Sequence, residues 1–257
     1  MLVFVMPLKS QKASKSWQRV TQLFERSLKS ACNQTSSNFH VIVVCHEKPE
    51  IDFQHPNVTY VQVDFLPAKA KNSTVTGAID KGRKLLKGVA LARQFSPTHI
   101  MPIDADDCVS QKLAEFVEKN PTSHGWVVNK GYKYQEGSQH IYIKRRNFYQ
   151  MCGTCNIIRY DLTYLPENPE YDRDYGYYKF YIEHGKAKAS LSEQSVFLKS
   201  LPFPGAVYIL ETGEHLFYNS TRLNFSIFNR KKLNQAIENE FGLHKLQERQ
   251  LIYQSIN

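Results

Sequence analysis

The chain has 257 residues, a formal net charge of +9, 42% hydrophobic residues and 22% charged residues. At a rough prior of ~150 residues per domain this composition suits one folded domain, or one domain with a small appendage, and excludes extensive disorder. No segment approaches the ~18 consecutive apolar residues of a membrane span, and the positive charge predicts attraction to polyanions such as nucleotides, nucleic acid or an anionic membrane face.

The opening run Met1-Leu2-Val3-Phe4-Val5-Met6-Pro7 lacks a preceding basic stretch and a small-residue cleavage site, so it predicts a first core strand rather than a signal peptide, and a cytoplasmic protein. Trp17, Val20, Phe24, Leu28 and Ala31 follow at the three- and four-residue spacings of one helix face. His40 to Cys45 is a near-continuous apolar run, the pattern of a strand covered on both faces in a parallel sheet. Val58 to Val63 predicts a third strand, Gly82 to Phe95 a second long helix, and His99 to Ile103 a further strand. Pro102 is a misfit in that last strand, because it lacks a backbone donor, and predicts an early stop or a bulge. Ser110 to Lys119 predicts a helix, with candidate strands at Trp126 to Val128 and Ile141 to Ile143.

Asp104-Ala105-Asp106-Asp107 directly follows the apolar run. Alternate carboxylates at a strand end point the same way, so Asp104 and Asp106 have the spacing to share a hard divalent cation and leave positions for phosphate oxygens. An acidic turn capping the next helix is the competing reading. From Pro166 to Tyr181, tyrosines alternate irregularly with acids, which suits either an acceptor-binding loop, aromatic faces covering a sugar, or tyrosines that pack the loop onto the domain.

Five cysteines cannot all pair, and their placement suits reduced thiols. Cys152-Gly153-Thr154-Cys155 has redox-motif spacing but neither the βαβ context nor a second pair for zinc. Sequons at Asn33, Asn57, Asn72, Asn219 and Asn224 are read as chance. Arg222, Arg230, Lys231 and Lys232 form a basic face, either a solvated surface or a contact for lipid headgroups.

In order along the chain, the strand ending at Pro7, the strand Val41 to Cys45, the basic segment Asp80-Lys81-Gly82-Arg83-Lys84 at a helix start, the D-x-D cluster at Asp104 and Asp106, the segment Gly153 to Arg159 and the acidic Ser192-Glu193-Gln194 resemble the GT-A fold glycosyltransferases, broadly the family-2 type. The resemblance implies an α/β, Rossmann-like single domain with a central mixed, mostly parallel sheet flanked by helices. It implies a nucleotide-sugar-binding and catalytic domain over 1–215, with a C-terminal extension at 216–257 packing on it. The implied activity is transfer of a sugar from a UDP- or GDP-sugar to a saccharide, lipid or small-molecule acceptor, with Mn²⁺ or Mg²⁺ as cofactor and no nucleic-acid partner.

By that resemblance Asp104 contacts ribose or metal, Asp106 binds the metal, and His215 is either a third metal ligand or a structural histidine. Pro7 and Glu47 contribute to the nucleotide site, and Lys81, Arg83 and Lys84 are either phosphate contacts or an ordinary solvated helix start. Gly153 and Asn156 line the substrate side, and Glu193 is the general base. Gln194 stands where the family carries Asp, and Cys45-His46-Glu47 replaces the usual acids after the second strand. A location on the inner membrane face is a further expectation. The competing functions are a nucleotidyltransferase, for which Lys9 to Lys12 lacks the glycine-rich loop, and a basic nucleic-acid-binding module, which the acidic cluster disfavours.

Overall fold

A computed structural model describes residues 1–68, 70, 72–214 and 227–246. The strands are β1 (Leu2–Pro7), β2 (Phe39–Cys45), β3 (Val58–Gln62), β4 (His99–Pro102), β5 (Cys108–Val109), β6 (Gly125–Val127), β7 (Gly131–Gln135), β8 (His140–Lys144), β9 (Asn156–Arg159), β10 (Lys199–Ser200), β11 (Ala206–Leu210) and β12 (Arg230–Lys232). The helices are α1 (Trp17–Cys32), α2 (Ser73–Ala92), α3 (Leu113–Glu118), α4 (Lys179–Ile182), α5 (Lys186–Glu193) and α6 (Gln235–Phe241). No helix among the described residues is long and apolar enough to cross a membrane.

The main sheet has seven strands in the order β10-β6-β9-β4-β1-β2-β3. β1 pairs in parallel with both β2 and β4, β2 in parallel with β3, and β9 runs antiparallel between β4 and β6. This is the mixed, mostly parallel α/β sheet that the sequence predicts. Every residue of β1 is buried, because alternate side chains feed two helical layers. Leu2, Phe4 and Met6 join Val20, Phe24 and Leu28 of α1, whereas Val3 and Val5 join Leu85 and Val89 of α2. Gly88 permits that second contact, since a Cβ there would lie 2.4 Å from Val5 Cγ1.

One local prediction changes, and a second, the early stop at Pro102, is met. The α2 helix begins at Ser73 rather than Gly82, because the Asn72 side chain accepts from Val75 N at 2.9 Å and caps it. Asp80 to Lys84 therefore lies inside a helix, and the solvated helix start is overturned. Pro102 ends β4 opposite Val5, beyond the last residue of that strand paired with β9, so its missing donor leaves no ladder position open.

A second sheet, order β12-β8-β7-β11-β5, was not foreseen beyond Ile141 to Ile143. One of its faces buries Tyr132, Tyr134, Ile141, Val207 and Ile209 with Phe241 of α6. Gln111 N donates to Glu240 O, and Ser30 Oγ to Phe241 O, tying the described part of the C-terminal region, 227–246, to the rest. Arg230, Lys231 and Lys232 are all exposed on the edge strand β12; Arg222 lies outside the described residues. All five cysteines are free and buried.

Candidate functional site

The chain runs β1, β2, β3 outward and then returns to place β4 on the other side of β1, so the strand order reverses between β1 and β4. In open α/β sheets ligands bind beyond the carboxyl ends of the strands at that reversal. A cleft of about 1080 Å³ lies there, and its walls include Pro7 and Leu8 after β1, His46 and Glu47 after β2, and Asp104 to Asp106 after β4.

Lys81 Nζ contacts Asp104 Oδ1 in an ion pair at the cleft floor. Burial alone would lower the Lys81 pKa, but Asp104, and then Asp106 and Asp107, outweigh it and raise it, so this ammonium stays charged. Gly153 lies directly against the pair, since a Cβ there would be 2.6 Å from Asp104 Oδ2 and 2.9 Å from Lys81 Nζ. Thr154 sets the acidic turn from behind. Its hydroxyl accepts from Asp104 N at 2.9 Å and donates to Asp107 Oδ2 at 2.7 Å.

Asp107 faces the interior rather than the cleft. Its carboxyl also accepts from the Cys152 thiol at 3.0 Å and from Ile209 N at 3.3 Å, and burial, followed by Asp106 and Asp104, pushes its pKa well up. The Cys152-to-Cys155 segment is thereby a structural support. Burial pushes Cys155 up to about 12, so it is an unreactive thiol.

The three cations of the Lys81–Lys84 segment diverge. Arg83 lies roughly 200° around the helix from Lys81, is buried, and donates to Leu66 O at 2.7 Å and Asp172 Oδ1 at 3.0 Å, away from the cleft. Lys84 is fully buried at the cleft wall, where it donates to Leu8 O and Asp80 Oδ2, both at 2.7 Å. Its ammonium fixes the exit of β1 rather than standing open to a ligand. Glu47 lines the cleft and accepts from Gln11 N at 3.1 Å. Beside it, His46 Nε2 lies 3.0 Å from Phe65 O, an acceptor, so Nε2 carries the hydrogen and the buried Nδ1 is left as an acceptor with no partner.

Asn156, on β9, does not line the cleft but lines a small neighbouring cavity with Ile100, Gly153 and Tyr181. Glu193 is exposed at the far end of α5, about 10 Å along the helix from Lys186, and does not line the cleft. His215 lies outside the described residues. The residue before it, Glu214, is buried and accepts from Lys9 Nζ at 2.7 Å, Lys15 N at 3.1 Å and Ser16 N at 2.7 Å, which ties the loop after β11 to the start of α1.

The aromatic segment mostly packs. Tyr178 is buried against Gly82 of α2, and Tyr171 stacks on Phe65 at 5.3 Å; Tyr175, Glu183 and His184 do reach the cleft. Glu183 and His184 were missed because they fall in the loop between two short helices, where no periodicity points to a face. Tyr208 of β11 lines the opposite wall.

No family model matches the chain, and no curated protein matches its sequence. In structure it is similar to S. aureus TarS 1–349, at 11% identity and TM-score 0.40 over 81% of this chain and 60% of that one. It is similar to HddC from Yersinia pseudotuberculosis, at 10% identity and TM-score 0.37 over 81% and 88%. A candidate nucleotide-diphospho-sugar transferase from Desulfovibrio desulfuricans G20 gives 11% identity and TM-score 0.35 over 81% and 79%. The chain thus spans 60% of the first of these structures.

Proposed function

We propose that the chain is a glycosyltransferase of GT-A type that moves a sugar from a nucleotide-diphosphate sugar, UDP- or GDP-linked, to the hydroxyl of a saccharide, lipid or small-molecule acceptor. The observation that carries this reading is the convergence of Lys81, Asp104 and Asp106 at the strand-order reversal, with Gly153 packed directly against the ion pair. A nucleoside diphosphate leaves with growing negative charge on its oxygens, and a fixed ammonium beside them stabilises that charge without reorganisation. The β1 exit and Glu47, which line the same cleft, would meet the nucleoside.

The donor set suits a cation shared with the ligand. Two carboxylates, Asp104 and Asp106, line the cleft, one already paired with Lys81. No group of three or more His, Cys, Asp or Glu placed to hold a metal occurs among the described residues. Mg²⁺ and, in such sites, Mn²⁺ are commonly held by one or two carboxylates with substrate phosphates completing the shell, rather than by an all-protein cage. Asp104 and Asp106 fit that arrangement, and the cation would neutralise phosphate charge when bound.

A thermal-shift screen of UDP, GDP, UDP-glucose and GDP-mannose, with and without Mn²⁺, tests the proposal, because a ligand that binds only the folded state raises apparent stability. The expected result is stabilisation by at least one diphosphate that is larger with Mn²⁺. Stabilisation by single-stranded nucleic acid alone, falling steeply with salt, would point instead to the basic binding module.

A further inference from the structure

Glu193, the residue that the resemblance casts as general base, is exposed at the end of α5 and does not line the cleft, so the proposed transfer needs another group to receive the acceptor's proton. We propose that His184 is that group. The inference rests on the glycosyltransferase reading above and assigns the general base within it.

His184 sits between α4 and α5 and lines the cleft that holds Lys81, Asp104 and Asp106. Its Nδ1 lies 3.2 Å from Gln150 O. A carbonyl oxygen only accepts, so Nδ1 carries the hydrogen and Nε2 keeps its lone pair. The ring is thus held by the backbone in the tautomer a base needs, and the residue is exposed at the cleft wall. Gly185 follows in the left-handed region, φ +80°, a turn that favours glycine and starts α5 immediately after the imidazole.

The groups that face this ring agree with the role. Desolvation at the cleft wall, and then Lys81, lower the His184 pKa from its ordinary value, while Asp104 and the Gln150 carbonyl oppose them. The net direction is toward the neutral imidazole. Glu183, its neighbour in the cleft, accepts a hydrogen bond from the Tyr175 hydroxyl.

In the step itself, an acceptor oxygen forms a bond to the anomeric carbon as the bond from that carbon to the diphosphate oxygen breaks. The bonding pair leaves with the nucleoside diphosphate, and the acceptor's proton passes to His184 Nε2. The imidazolium then returns the proton to solvent. A general base of this kind contributes roughly 10²–10⁴ in rate.

The test is the release of nucleoside diphosphate from UDP-glucose and GDP-mannose with Mn²⁺ and water as acceptor, measured across pH for the parent chain, His184→Gln, His184→Ala and Glu183→Gln. Diphosphate affinity and Tm are measured in parallel. The expected result is a drop of about 10²–10⁴-fold in both His184 variants, loss of the acidic limb of the pH profile, and partial rescue of His184→Ala by added imidazole. Diphosphate affinity should stay within about threefold and Tm should not change, which a merely structural histidine would not combine with imidazole rescue. Parent-like rates and acidic limb in His184→Gln would overturn the assignment, as would loss confined to Glu183→Gln, or a parent that binds diphosphate and releases none. Failure of the parent to bind any diphosphate would instead overturn the glycosyltransferase reading.

Discussion

The Lys81 ammonium and the Asp104 carboxylate are ion-paired in contact with the α-carbon face of Gly153. Three separate segments meet at this point: the middle of α2, the turn after β4 and the loop before β9. Thr154 holds the backbone of the Asp104 turn, and both members of the pair line the cleft, each side chain about a quarter exposed.

Gly153→Ala tests whether that close approach matters. The added Cβ would fall within 3 Å of both partners, and the far end of the lysine can shift while the turn holding Asp104 cannot. The expected outcome is a folded protein whose affinity for nucleoside diphosphate falls about tenfold, about 1.4 kcal/mol, as read by calorimetry.

Thr154→Val keeps the shape but removes the hydroxyl between Asp104 N and Asp107. Asp107 is buried and Asp104 half-buried, and an unsatisfied buried partner costs about 1–3 kcal/mol. Urea denaturation should show a loss of this size, together with weaker diphosphate binding as the Asp104 turn loosens.

Glu214→Gln addresses the latch between the β11 loop and the start of α1. Burial would raise the Glu214 pKa, but hydrogen bonds from Lys9, Lys15 and Ser16 outweigh it and depress it below 4.5. Its stabilisation is therefore complete above the ordinary carboxylate value and is lost as pH falls through the lower folded value. The variant should be less stable than the parent at pH 7 by about 1–2 kcal/mol, and the difference should shrink on acidification below pH 4.5.

Glu193→Gln should leave diphosphate release and Tm close to the parent's, because the side chain is exposed at the end of α5 and outside the cleft. A loss of activity approaching that expected for His184 would place the base on α5 after all.

What the sequence made legible follows from burial. β1, β2, β4 and α1 carry apolar runs or one apolar face, because each packs on both sides or along one stripe, and they position Pro7, Glu47, Asp104 and Asp106 in the cleft. Lys81 and Gly153 also reach it. The second sheet was obscured because β7 reads Gly-Tyr-Lys-Tyr-Gln, with one face buried and the other partly polar, and because β5 and β12 are too short to show a period. The first nine residues of α2 were lost in Ser, Thr and Val, which have weak helix propensity and are offset here by the Asn72 cap. Arg83 and Lys84 read either as phosphate contacts or as a solvated helix start, and only the packed helix shows that one turns away from the cleft and the other is buried. His184 lies in an aperiodic turn, and its place depends on contacts with Gln150, distant in sequence.

The central claim, that the cleft binds a nucleoside diphosphate through the acidic turn with a shared cation, is tested most directly by calorimetric titration of UDP and GDP into the parent and Asp106→Asn, each with Mn²⁺ and with a chelator. The account predicts measurable binding of at least one diphosphate to the parent with Mn²⁺, weakened about tenfold or more both by the chelator and by Asp106→Asn, while Tm of the unliganded variant stays near the parent's. Equal affinity in all four conditions, or no binding to the parent in any of them, would contradict it.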